Sequence, residues 1–130
     1  IGGWLCDRVP PTTVLGTVFA VVAVCALAQS TSPALRPGAT IAFLTMAAAL
    51  GTASGAVFAL VARLAPAGKV GSVTGVVGAA GGLGGFVPPL LMGSIYGSTG
   101  SYAIGLLLLA GVAAAMLAFT VVVIRPHRTA

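Results

Sequence analysis

From Gly71 to Phe86 the chain sets glycine so densely into an apolar run that few folds can use it. Its centre reads Gly75-Val76-Val77-Gly78-Ala79-Ala80-Gly81-Gly82-Leu83-Gly84-Gly85-Phe86-Val87-Pro88-Pro89. Each glycine inside a water-exposed helix costs about 1 kcal/mol relative to alanine, so a soluble helix would rarely tolerate this many. A bilayer changes that comparison, because lipid offers the backbone no hydrogen-bond partner outside the helix. The segment is therefore read as a membrane-spanning helix. Gly71, Gly75, Gly78, Gly82 and Gly85 recur at alternating steps of four and three residues, which puts them on one helical face. A neighbouring helix or a small solute can approach the backbone closely along that stripe. Two readings stay open. One is a small-residue packing seam, in which Gly71/Gly75, Gly78/Gly82 and Gly81/Gly85 are GxxxG pairs. The other is a wall of a translocation path, with Gly84 and Phe86 beside it. Val76 and Val77 fall off the stripe and should accept a larger side chain more readily.

Composition supports the membrane reading. The chain is 58% hydrophobic and 5% charged, whereas soluble domains carry about 25% charged residues. A chain so poor in charge cannot cover a globular surface with polar groups. Its net charge of +5 comes without a basic patch interleaved with aromatics, so no nucleic-acid partner is expected. The cations are read as topology determinants instead.

Apolar runs long enough for a bilayer, which takes about 20 helical residues, fall at 13–29, 39–62, 70–96 and 102–124. The linkers at 30–38 and 96–101 are rich in turn residues, and 63–69 carries Arg63 and Lys69. Such short linkers make successive helices antiparallel neighbours. Pro10 and Pro11 suit the first turn of the first span. Pro88 and Pro89 should bend the third near Gly84 and Gly85, four residues back. If the Arg8 end is cytoplasmic, Arg8, Arg63, Lys69, Arg125 and Arg128 share that side and Arg36 stands alone opposite. The asymmetry predicts a multi-pass protein of the cell membrane with both termini cytoplasmic.

Chemistry-bearing residues are few. Asp7 is the one acidic residue, so no carboxylate pair exists for acid–base catalysis. Gly68-Lys69-Val70 lacks the hydroxyl residue and glycine spacing of a phosphate loop. No enzymatic activity, cofactor or metal is expected. Cys6 and Cys25 lie too far apart to bridge along a straight helix, which would separate them by about 28 Å, and are read as free thiols. His127 belongs to a solvated tail beside Arg125 and Arg128. Thr45, Thr52 and Ser54 should return their hydroxyls to their own helix backbone. Phe19, Phe43, Phe58 and Phe119 read as packing or lipid contacts. The chain opens on Ile1 in what looks like an apolar segment already under way, and it is expected to be the carboxyl-terminal piece of a longer protein.

Gly2-Gly3-Trp4-Leu5-Cys6-Asp7-Arg8, followed by Val9-Pro10-Pro11, resembles the cytoplasmic loop motif of the major facilitator superfamily. In that superfamily the motif joins spans 2 and 3, and again spans 8 and 9. The glycines, including Gly3, would let helices cross closely, Asp7 would sit at the N-terminal end of the next helix or pair with an arginine, and Arg8 completes the motif. Four spans follow, so the resemblance implies spans 9–12 of a twelve-helix carrier. The fold implied is all-α, with four helices forming part of the carboxyl-terminal six-helix half.

Gly75-x-x-Gly78-x-x-Gly81-Gly82-x-Gly84-Gly85-Phe86 is in turn similar to the glycine signature of the nitrate/nitrite porter family, found on spans 5 and 11. The resemblance implies a nitrate or nitrite anion as substrate, carried by alternating access. A more familiar copy of the signature has asparagine between its glycines, whereas position 82 here is glycine. That removes an amide donor and favours a backbone or packing role. Family members hold the anion near the midplane with arginines, whose planar donor fork suits a planar oxyanion. None of the arginines here falls at the centre of a span, so the main anion ligands are expected in the N-terminal part of the same transporter. The alternatives are a carrier of another small solute, and a non-transporting membrane fragment or subunit.

Overall fold

The computed structural model describes residues 2–31 and 37–124. A short helix α1 (Gly2–Arg8) leads into α2 (Pro11–Ser30), α3 (Pro37–Leu64), α4 (Val70–Thr99) and α5 (Ala103–Phe119), which ends in a π-helical turn, Thr120–Ile124. Among the described residues there is no β-strand. The chain is an α-helical membrane protein, with four helices among the described residues long and apolar enough to cross a bilayer.

Helix α2 is the centre of the arrangement. Val14, Val18, Val22 and Ala26, spaced every four residues, line one buried face with Leu15 beside them. They meet Met46, Ala53 and Ala56 of α3, Ala110 and Ala113 of α5, and Cys6 of α1. Lipid tails are as apolar as these side chains, so the assembly rests on close dispersion contact rather than on the hydrophobic effect. Alanine at five of these positions keeps the backbones near enough for it.

Neighbouring helices run antiparallel. Gln29 Nε2 donates to the Ala39 carbonyl at 3.4 Å at one end of the bundle. At the other, an Arg63 Nη2 donates to the Cys6 carbonyl at 2.7 Å. There too a Cβ at Gly16 would touch Leu117 at 3.7 Å, so the end of α5 lies beside the start of α2. Arg8, Arg63 and Lys69 thus gather at one end of the bundle, while Arg36, Arg125, His127 and Arg128 lie outside the described residues.

Most helix ends lie one to three residues from the sequence reading, and two of the shifts have a clear cause. Residues 97–99 continue α4 instead of forming a turn: the hydroxyls of Ser98 and Thr99 donate to the Ile95 carbonyl, and Gly100, at φ +67°, closes the helix in the left-handed region that favours glycine. Pro37 and Gly38 open α3 instead of belonging to the linker; proline suits a first helical position because its absent N–H would have no partner there anyway. Pro88 and Pro89 sit inside α4, which remains α-helical through both.

Candidate functional site

Helix α4 touches the rest of the chain mainly at its ends. At the far end Met92 fits against Gly105, where a Cβ would meet its Cε and Cγ at 3.1 Å. The rings of Tyr96 and Tyr102 stack there with centroids 4.4 Å apart and planes 16° from parallel. Between its ends α4 buries no residue.

The glycine stripe lies in that exposed stretch. A Cβ built at Gly71, Gly75, Gly78, Gly81, Gly82, Gly84 or Gly85 would meet nothing within 4 Å among the described residues. Phe86, beside the stripe, is 64% exposed. Among the described residues, therefore, nothing packs against the GxxxG pairs of α4. Gly78 and Gly81 line an open groove of about 400 Å³ with Val77 of α4 and Ser54, Val57 and Phe58 of α3. Gly75, Gly82, Gly84, Gly85 and Phe86 are not brought into it. Val77, read from the sequence as lying off the functional stripe, is part of the groove wall; α4 is turned toward α3 by a flank of the stripe rather than its centre.

The groove is apolar apart from Ser54. Thr45 and Thr52 donate to the carbonyls of Ile41 and Ala48, as a membrane helix requires, while Ser54 lines the groove. Phe58 belongs to the same wall and is not simply a lipid contact. Such a groove has room for a small solute, but its lining offers no cation to hold an anion against its desolvation cost. Ligands for a bound anion would have to come from outside these six residues.

The loop motif has a definite geometry. Gly2 and Gly55 meet at a crossing of α1 and α3: a Cβ on Gly2 would collide with the Thr52 carbonyl oxygen, and one on Gly55 would lie 2.9 Å from the Gly3 nitrogen and 3.1 Å from Gly2 Cα. Of the motif's two glycines, Gly2 is the one whose Cβ would collide, while a Cβ at Gly3 meets nothing within 4 Å among the described residues. Asp7 lies in the last turn of α1, not at the start of α2, whose N-cap is Pro10. The Arg8 guanidinium sits 4.5 Å from the centre of the Trp4 ring, a cation–π contact. Cys6 and Cys25 are both free.

Sequence reasoning overlooked Gly55, Arg63 and the α3 wall of the groove. A signal for the first was present in Gly51-x-x-x-Gly55, a small-residue pair overshadowed by the denser glycines of α4.

No protein-family model matches the chain. No solved structure matches it. Among curated proteins, it is 45% identical over 121 residues to a Mycobacterium tuberculosis protein named as a probable nitrate/nitrite transporter, NarK2; the match takes in 92% of this chain and 30% of that protein. It is 39% identical over 114 residues to the nitrite extrusion protein of Bacillus subtilis, across 88% of this chain and 28% of the relative. The chain thus spans about 30% of the length of the curated relatives it matches. Both relatives bear the names of nitrate or nitrite transport proteins, the class that the glycine signature resembles.

Proposed function

We propose that this chain is part of a nitrate/nitrite transporter of the major facilitator superfamily, in which α1 ends span 8 and α2–α5 are spans 9–12. The observation that carries the reading is the 45% identity to a nitrate/nitrite transporter across 92% of the chain. In this superfamily two six-helix halves rock about a midplane site. The chain's contribution is then one wall of the path, the α3–α4 groove, and the exposed glycine face of α4. The anion's arginine ligands, and the helices that cover α4, belong to the rest of the transporter. The test is flux of labelled nitrate and nitrite in vesicles holding the full-length protein. Saturable uptake of either anion is the expected result, and its absence with both sinks the assignment. Vesicles holding residues 1–130 alone should show none; saturable uptake there would overturn the division of labour.

The orientation we propose follows from charge. Arg8, Arg63 and Lys69 share one end of the bundle, and cytoplasmic loops carry the excess of cations. The α2–α3 linker then faces outward. A Thr31→Cys variant of the full-length protein should react with a membrane-impermeant maleimide added outside the cell, and Lys69→Cys only after the membrane is opened. The reverse pattern would invert the topology.

A further inference from the structure

We propose that Arg63 acts as a replacement backbone donor that latches the α1–α2 turn onto the end of α3. In a continuing helix the Cys6 carbonyl would accept the N–H of residue 10, four positions on. Position 10 is proline, which has no N–H. Val9 still donates to the Leu5 carbonyl at 2.9 Å, so the backbone follows the helical course up to the residue that breaks it. The vacated acceptor is taken by the Arg63 guanidinium at 2.7 Å, across 57 residues of sequence. Cys6 itself is 1% exposed, which keeps water from the carbonyl's surroundings. An ionised donor makes a shorter and stronger bond than an amide, and a helix C-terminus favours a cation. The latch sits at the same end of α3 as the Gly2–Gly55 crossing and holds α1 and α3 together. Arg63 is a positioning residue: through α3 it steadies the wall that carries Ser54, Val57 and Phe58. That last step rests on the transporter reading above; the latch does not.

The test returns the N–H that proline removed. In the full-length protein, Arg63→Gln should lower the melting temperature in detergent by on the order of 5 °C. Its maximal transport rate should fall several-fold with KM little changed, since Arg63 does not touch the solute. Pro10→Ala alone should resemble the wild type. Pro10→Ala combined with Arg63→Gln should regain at least half of the lost melting temperature and rate, because the new amide answers the same carbonyl. If Arg63→Gln does not accumulate, recovery of monodisperse protein in the double variant supports the latch. The proposal is overturned if Arg63→Gln melts and transports like the wild type, or if the double variant is no better than the single one. The melting arm does not depend on which solute is carried. Absence of nitrate and nitrite flux in the wild type would remove the proposed function and leave the latch to be judged by melting.

Discussion

Gly55→Leu in the full-length protein is expected to prevent accumulation of folded transporter, while Gly51→Leu, one turn earlier on the same helix, is expected to be tolerated. The contrast comes from what each Cβ would meet. At Gly55 it would lie 2.9–3.1 Å from the Gly3 nitrogen and the Gly2 backbone, atoms that cannot rotate away. At Gly51 it would meet nothing within 4 Å among the described residues. Overpacking a filled interface typically costs about 1–3 kcal/mol, and a backbone-on-backbone crossing has less room to relax than a side-chain core. Gly55→Ala should already lower the melting temperature, and leucine should force α1 off α3. Size-exclusion profiles and melting curves of the three variants at positions 51 and 55 decide the matter. Wild-type melting in Gly55→Leu would mean that α1 and α3 do not cross in the working transporter.

Gly82→Leu should separate what α4 does inside this chain from what it does in the complete carrier. Nothing among the described residues approaches Gly82, so residues 1–130 carrying Gly82→Leu should give the same helical content as the wild-type chain. In the full-length protein the same change should slow transport at matched membrane expression. A packing penalty of about 1–3 kcal/mol falling on one of two alternating states reduces its population about 5–150-fold. Val76→Leu is the control, since Val76 is 70% exposed and outside the groove. Loss of rate with unchanged KM assigns the stripe to a close contact with moving helices, which is the expected outcome because position 82 has no side-chain donor. A rise in KM would bring it to the anion instead. Transport at the wild-type rate by both variants would show that the glycine face is neither wall nor seam.

How far each feature could be read from sequence depended on how local its cause is. The four long helices announce themselves through unbroken apolar runs, and their ends were displaced by only a few residues where hydroxyl caps at Ser98 and Thr99 extend the helix. The unusual glycine content of α4 is equally local. Which flank of α4 faces α3 is not, because every face of that helix is apolar and periodicity carries no direction. That Val77 lines the groove was not legible for that reason. The Gly2–Gly55 crossing and the bond from Arg63 to Cys6 each join residues more than fifty positions apart, with no shared motif to connect them. Asp7 shows the opposite error: the loop motif suggested a helix start, but Pro10 and Pro11 set that start three residues later.

The long reach of the Arg63 bond has a consequence for how the chain is made. Ribosomes add roughly 5–20 residues per second, so the 57 positions between Cys6 and Arg63 correspond to about 3–11 s of synthesis. For that interval the last turn of α1 has an acceptor with no donor in its own helix. The turn can be completed only when the second hairpin arm has crossed back and delivered its arginine to the membrane face where the first arm began. Assembly at this corner is therefore timed by translation, with α3 closing a joint that α1 and α2 leave open.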